Sequence, residues 1–223
     1  MKQESLCSVI VVYFLAGWLA LAASIRSGAE VWDVTSDFST TDNPLGQWAY
    51  GWEDGAGPDW TVFAVYPDFH YSGANPQWYQ DGISGDYSPS VWLNLTQEGL
   101  YGVPLGWLCI HPGPSWQPSV IRWTSPISGD VTITGAFLTG DSGLMDVYIQ
   151  VNGTTVWSAL DFNTDQPFSI VQPVEVGDQI DWLVTGGYNY GSTPVSITIE
   201  PPPAIFDDGF EDGTTNAWSH SEP

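Results

Sequence analysis

Glycine and proline interrupt this chain at short intervals, and that punctuation limits what it can fold into. The 223 residues include 24 glycines and 17 prolines. Between them apolar side chains alternate over short runs, and beyond residue 23 no long stretch has the period of an amphipathic helix. The pattern predicts an all-β protein: an antiparallel, two-sheet β-sandwich of jelly-roll type with about ten to twelve strands.

The clearest strand signals lie between residues 130 and 160. Alternation would place Val131, Ile133 and Phe137 on one face of a strand over 130–138. Residues 145–151 alternate in the same way, and Asn152-Gly153 provides the positive-φ pair of a type I′ turn. We therefore predict a β-hairpin that returns along residues 155–160.

Further strands are expected from the other short apolar runs. These runs are residues 60–66, 90–95, 107–110, 119–124, 179–185 and 194–200. Their alternation places four large aromatic side chains in the core: Trp92, Trp123, Phe137 and Trp157.

The near absence of cations excludes two large classes of partner. Lysine and arginine number 3 against 26 acidic residues, which gives a formal net charge of -23. A protein that binds nucleic acid or an anionic membrane needs cations to neutralise phosphates. The partners left are neutral surfaces or cations, and aromatic residues, at 14% of the chain, are available to meet them.

The two ends of the chain differ in composition from the middle. Residues 9–23 form an apolar run after Lys2, with a small-residue pattern at Ala20-Leu21-Ala22, so we predict a cleaved signal peptide over 1–23. The sandwich domain would span 24–200, and a Pro-rich linker with an acidic tail would occupy 201–223. The expected location is therefore secreted, extracellular or on a bacterial cell surface.

Two single residues stand out because the chain has so few of their kind. Cys109 would be the only cysteine left after cleavage, and its apolar neighbours predict an inert core residue. Arg122 lies on the strand face opposite Ile121 and Trp123. We expect a neighbouring carboxylate or carbonyl to satisfy it, with a ligand-contacting arginine as the alternative.

Four groups of separated stretches carry a family resemblance. They are 37–39 with 43–52, 102–104 with 111–114, 119–126 with 135–137, and 146–147 with 151–153 and 177–181. In this order they resemble a family of exported bacterial β-sandwich proteins, some of which bear C-terminal surface-sorting tails. The resemblance implies a jelly-roll-like domain similar to carbohydrate-binding modules, and it implies no catalytic residues.

The C-terminal tail has a resemblance of its own. Residues 205–213 with Trp218-Ser219 look like a short motif found on many unrelated exported bacterial proteins. The resemblance implies a role in secretion or surface retention. The tail lacks the closing transmembrane segment and basic terminus of familiar sorting tails, and a tail that adds an edge strand or stays flexible is the alternative.

Aromatic residues in loop-like segments give the best functional indication. Sugar rings present C–H faces that stack on indole and phenol rings. The candidate ligand-binding residues are Trp60, Tyr71, Trp78, Tyr79, Trp116, Tyr188 and Tyr190. We expect a non-catalytic protein that binds neutral polysaccharide or a cell-surface glycan; the alternative is that these rings only cover their own loops.

Two other functions stay open at this point. One is a surface or matrix structural protein without a small ligand. The other is a small glycoside hydrolase, which needs two carboxylates about 5–10 Å apart across a cleft. Its candidates are Glu53-Asp54, Asp59, and Asp178 with Asp181.

Calcium is the only metal that the composition favours. Exported β-sandwiches use it as a structural clip, and carboxylate oxygens are its preferred ligands. Asp141 and Asp146 flank one turn, and Asp207, Asp208 and Asp212 cluster in the tail. The scattered histidines and lone cysteine give poor spacing for zinc or copper.

Overall fold

The computed structural model describes residues 30–54, 60–64, 75–83, 87–141 and 143–202. These residues form two β-sheets. The first contains β1 (Trp32–Asp33), β4 (Asn75–Tyr79), β5 (Ser90–Leu93), β6 (Leu108–His111), β8 (Gly129–Phe137), β11 (Gln166–Val174) and β13 (Thr193–Glu200). The second contains β2 (Trp48–Glu53), β3 (Trp60–Val62), β7 (Ser119–Thr124), β9 (Met145–Val151), β10 (Thr154–Phe162) and β12 (Gln179–Gly186).

Every strand pairing in both sheets is antiparallel. The first sheet has the order β11-β8-β13-β6-β5-β4, with β1 also paired to β13. The second has the order β10-β9-β12-β7-β2-β3. Over the described ranges there is no helix, so none is present that is long and apolar enough to cross a bilayer. The predicted all-β, antiparallel two-sheet sandwich is confirmed.

The alternation that predicted the strands also builds the core between the sheets. Val131, Ile133 and Phe137 of β8 are fully buried, as expected, and face buried residues of β9 and β12 in one cluster. Asn152 and Gly153 have φ values of 48° and 77°, as the predicted tight turn between β9 and β10 requires. Thr154 pairs with Val151 directly across it.

Large aromatic side chains fill the middle of this core. Trp123 packs edge-on against Trp32, with 5.2 Å between the ring centroids. Phe137 stacks on the half-buried Trp157 at 5.9 Å. Aromatic pairs at such distances add about 0.5–1.5 kcal/mol beyond the area they bury. The predicted core positions of Trp123 and Phe137 agree with the structure, whereas Trp157 is only partly buried and packs against the core.

A smaller second cluster lies on the other face of the first sheet. Trp92 and Cys109 are opposite each other on β5 and β6, and Val103 of the connecting loop covers them. Asn94 holds that loop because its Nδ2 donates to the carbonyl of Val103 at 2.8 Å. Burial raises the pKa of the Cys109 thiol, so little thiolate forms, and the prediction of an inert core cysteine is confirmed.

Four strands escaped the sequence patterns: β1, β2, β4 and β11. β4 was expected to be a loop because it lies in a segment rich in proline and glycine, yet all of its residues are buried. Gln77 is tolerated there because its Nε2 donates to the carbonyl of Tyr87 at 2.8 Å. β11 contains Pro167 and Pro173, which an edge strand accepts because its outward N–H groups have no ladder partner.

Some predictions fall on residues outside the described ranges. They are the signal peptide over 1–23, the tail beyond Pro202, Asp59 and the candidate ligand residue Tyr71. These remain predictions.

Candidate functional site

One end of the sandwich collects exposed aromatic residues from two loops. Trp116 lies in the loop between β6 and β7, and Tyr188 and Tyr190 lie in the loop between β12 and β13. The side chains of Trp116 and Tyr190 are 67% and 70% exposed. We call these three residues the aromatic end.

The two loops of the aromatic end are held against the body and against each other. Thr185 Oγ1 donates to the carbonyl of Trp116 at 2.9 Å, and the N–H of Gly143 donates to the carbonyl of Tyr190 at 2.9 Å. The loops also touch, since a Cβ built on Gly191 would lie 3.1 Å from Cδ of Pro112. The exposed rings therefore stand on fixed backbone.

Tyr188 is fixed more firmly than its two neighbours. It is half-buried, and its ring packs edge-on against His111 at 5.5 Å. Trp116 and Tyr190 have φ values of 65° and 62°, a left-handed conformation that non-glycine residues seldom adopt. Residues held in such sparsely populated conformations are frequent at ligand sites.

The structure removes two of the predicted loop aromatics from the exposed set. Trp78 and Tyr79 belong to β4 and are only 5% and 3% exposed. The indole N–H of Trp78 donates to the carbonyl of Ser39 at 2.8 Å. Tyr79 packs edge-on against Tyr87 at 5.2 Å. Their predicted loop placement was wrong, because β4 is drawn into the first sheet by its pairing with β5.

Trp60 lies far from the aromatic end's loops in sequence and occupies a different surface. It sits on β3, and its ring extends over Gly51 of β2 towards β7. A Cβ built on Gly51 would come within 2.7 Å of the Trp60 ring. Glycine at this position therefore allows the indole to lie close to the sheet.

Trp60 borders a cleft on the outer face of the second sheet. The cleft has a volume of about 460 Å³, and it is lined by Glu53, Trp60, Arg122, Gln150, Asn152, Gly153, Gln179 and Asp181. Strand register explains the grouping, since Asp181 of β12 lies opposite both Arg122 of β7 and Gln150 of β9. We call it the sheet-face cleft.

Arg122 is fixed in this cleft by two contacts. Its Nε and Nη2 donate to the two carboxylate oxygens of Asp181, each at 2.7 Å. Its Cζ lies 4.3 Å from the centroid of a Trp60 ring, a cation–π distance. The expected carboxylate partner of Arg122 is confirmed, and the same geometry leaves the guanidinium at the cleft surface.

Glu53 is the second carboxyl group of the cleft and is placed differently. Burial raises its pKa, the charge of Asp181 raises it further, and Arg122 opposes both effects. Within the described residues its carboxyl makes no hydrogen bond. The amides of Gln150, Asn152 and Gln179 complete the lining; sequence reasoning missed them, because only the sheet register brings them to Glu53.

Three other predicted carboxylates, Asp178, Asp141 and Asp146, accept hydrogen bonds from backbone N–H groups. Asp178 accepts from Asn152 Nδ2 at 3.0 Å and from the N–H of Glu175 at 2.8 Å, and these bonds lower its pKa. Asp141 accepts from the N–H of Ser192 at 3.2 Å, and Asp146 from that of Asp161 at 2.8 Å. Among the described residues no cluster of three or more metal-binding side chains occurs, so calcium remains a prediction.

Comparison with known proteins finds similarity in fold only. No family model and no curated protein matches the sequence. Among solved structures, a family 35 carbohydrate binding module from Clostridium thermocellum matches with a TM-score of 0.32 and 19% identity, over 47% of this chain and 83% of that one. A CBM35 from Paenibacillus barcinonensis matches with a TM-score of 0.30 and 22% identity, over 47% and 86%.

A third similar structure has a lower score still. It is the CBM36-1 domain of a multidomain xylanase from the hindgut metagenome of Trinervitermes trinervoides, with a TM-score of 0.27 and 13% identity over 42% of this chain and 82% of that one. TM-scores this low carry no conclusion about a ligand.

Proposed function

We propose that this protein is a non-catalytic carbohydrate-binding protein that acts outside the cell and meets neutral polysaccharide with its aromatic end. The observation that carries the proposal is a pair of exposed rings, Trp116 and Tyr190, on two sequence-distant loops that are each hydrogen-bonded to the body of the sandwich. A stacked ring contributes about 0.5–1.5 kcal/mol. Fixed backbone adds to affinity because little ordering remains to be done on binding.

The charge of the chain supports a neutral ligand. With a formal net charge of -23, the protein repels phosphates and acidic polymers. Sugars without charge approach such a surface freely, and their hydroxyls can bond to its many carboxylates and amides. The secreted location is proposed on the apolar segment over residues 9–23.

The hydrolase alternative has one observation in its favour. Glu53 and Asp181 share the sheet-face cleft, and the pKa of Glu53 is raised, as expected for a general acid. Both oxygens of Asp181, however, already accept hydrogen bonds from Arg122. The Asp181 side chain is moreover only 5% exposed, so a sugar or a water has little access to it as a nucleophile or base, and the described carboxylates suit binding better than hydrolysis.

Retention on insoluble neutral polysaccharides tests the proposal. The purified protein is mixed with cellulose, xylan, mannan, β-1,3-glucan and chitin, each with calcium and with chelator, and the bound fraction is measured. We expect saturable retention on at least one polymer, lost in Trp116→Ala and kept in Val176→Ala, a matched exposed residue at the opposite end. Retention lost only with chelator would assign the role to a calcium-ordered loop instead, and no retention on any polymer would reject the proposal.

A further inference from the structure

The sheet-face cleft contains hydrogen-bonding groups that the fold itself does not use. Nη1 of Arg122 and the side-chain amide of Gln179 make no hydrogen bond within the described ranges. The carboxyl of Glu53 is likewise without one there, although it is half-buried. All three are only partly buried, so they stay accessible in a concave surface and are available to a ligand.

These groups are held in place before any ligand arrives. Asp181 fixes the plane of the Arg122 guanidinium through two bonds of 2.7 Å, and the Trp60 ring packs against it. The neighbours beneath are small, since Ala49 lies opposite Arg122 and Gly51 lies under the indole. Small neighbouring side chains between β2 and β12 therefore leave Arg122 and Glu53 accessible, and such preorganisation favours binding.

The charges in the cleft indicate the chemistry of its ligand. An anionic ligand would be repelled by Glu53 and Asp181 and by the net charge of -23. A cationic ligand would be repelled by Arg122, whose guanidinium already makes the cation–π contact with the Trp60 ring. A neutral hydroxyl avoids both conflicts, because it donates to a carboxylate and accepts from a guanidinium at once.

We propose that the sheet-face cleft binds a short neutral saccharide through two adjacent hydroxyl groups held between the Glu53 carboxylate and Nη1 of Arg122. Gln150 and Gln179 reach further hydroxyls along the cleft, and the free edge of Trp60 contacts the ring carbons. A volume of about 460 Å³ suits a ligand of one or two sugar rings. The proposal rests on the proposed function for the class of ligand, but its site is separate from the aromatic end.

The Glu53 side chain supplies a second argument. Its charge costs the fold desolvation energy and repels Asp181, the attraction of Arg122 offsets these costs only in part, and the carboxyl has no hydrogen-bond partner among the described residues. A carboxyl held in a cleft at such a cost and without a hydrogen bond is typical of a ligand-binding position.

Isothermal titration calorimetry on the whole protein at neutral pH tests the proposal. The probes are cellobiose, xylobiose, mannobiose and laminaribiose, with digalacturonate as the anionic comparison. The variants are Glu53→Gln, which keeps the shape of the side chain, and Trp116→Ala, which changes only the aromatic end. A near-UV circular dichroism spectrum checks that each variant is folded.

We expect at least one neutral disaccharide to bind with a millimolar or lower dissociation constant, and digalacturonate not to bind. Glu53→Gln should weaken binding about tenfold or more, since it removes a hydrogen bond to a charged acceptor. Trp116→Ala should leave the affinity within about twofold, whatever it does to polymer retention.

Three results would overturn the site. They are no binding of any probe by the folded wild-type protein, equal affinity in Glu53→Gln, or loss of disaccharide binding in Trp116→Ala alone. The last would still agree with the aromatic end as the carbohydrate site, so failure of this inference is distinguishable from failure of the proposed function. If disaccharides bind in the cleft but no polymer retains the protein, the proposed function fails and the inference about the cleft stands.

Discussion

At the scale of single residues, the rarest types proved the most predictable. The sequence places Cys109 in the core and gives Arg122 a carboxylate partner, because a chain with so few cations and cysteines leaves few options. It does not reveal which carboxylate, since Asp181 is 59 residues away and meets Arg122 only through the register of β7 and β12. For the same reason, the sequence does not show that Gln150 and Gln179 line the sheet-face cleft.

Glu53 should make stability depend on pH. Its pKa is raised in the fold, so between the ordinary glutamate pKa and the raised one the native state binds more protons than the unfolded state. Its contribution to stability is therefore present at low pH and lost as pH rises through the folded-state pKa. Glu53→Gln should gain in melting temperature over wild type as pH rises from about 4, just below the ordinary glutamate pKa, to about 7.5.

Differential scanning fluorimetry across that range measures the difference between the two proteins. Glu200→Gln, at an exposed position at the end of β13, is the control. A difference between Glu53→Gln and wild type that stays constant with pH would contradict the assignment.

Breaking the Arg122–Asp181 pair should be costly. The side chains are 15% and 5% exposed, so Asp181→Asn leaves a largely desolvated guanidinium without its counter-charge. We expect the free energy of unfolding to fall by about 2–4 kcal/mol in urea titrations. The double variant Arg122→Met with Asp181→Leu should recover part of that loss, because no charge is then buried; a loss as large as in the single variant would refute the explanation.

At the scale of elements, the alternation of apolar and polar residues located most of the long strands. Strands whose sequences do not alternate in this way were missed. β7 matches the predicted run, and β8 and β9 differ from theirs by no more than one residue at either end. β4 was missed because it is buried throughout, so its residues do not alternate between polar and apolar, and Trp78 and Tyr79 went into the core with it. The loops that carry Trp116, Tyr188 and Tyr190 were predicted correctly from their Gly and Pro content, although their contact with each other was not.

The edge strands weigh against self-assembly by strand addition. β11 carries Pro167 and Pro173, and β10 has two breaks of register with β9. Prolines and bulges on edges prevent pairing with another chain. This observation disfavours strand addition at β11 and β10, two of the four strands that end the sheets.

Replacing both β11 prolines should create an edge that associates. Pro167→Val with Pro173→Val restores two outward N–H groups on a nine-residue strand. We expect concentration-dependent dimers or larger species in sedimentation velocity. Ser169→Val on the same strand adds an apolar side chain but no N–H group, and it should sediment as wild type does; equal behaviour of the two variants would show that the prolines are not what protects the edge.

At the scale of the whole molecule, the balance of charges limits the class of partner more than any sequence motif does. Arg122 is the only lysine or arginine between residues 30 and 202, and it lies within β7 between β2 and β12. The composition alone predicts that polyanionic partners are repelled, whereas the position of any binding site required the fold.

Trypsin should therefore leave the folded protein intact. Cleavage needs an accessible, extended lysine or arginine, and Arg122 is held by strand pairing and by Asp181. We expect no cleavage between residues 30 and 202 under native conditions and a single cut there in concentrated urea, both measured by intact-mass spectrometry. Native cutting after Arg122 would mean that β7 opens readily.

The central claim is that Trp116 and Tyr190 bind carbohydrate. A depletion isotherm on the polymer that retains the protein tests it most directly, with wild type, the double variant Trp116→Ala with Tyr190→Ala, and Val176→Ala compared at equal concentrations. The account predicts an affinity at least about tenfold lower in the double variant, from the loss of two stacked rings, and an unchanged affinity in Val176→Ala. Equal isotherms for wild type and the double variant would contradict it.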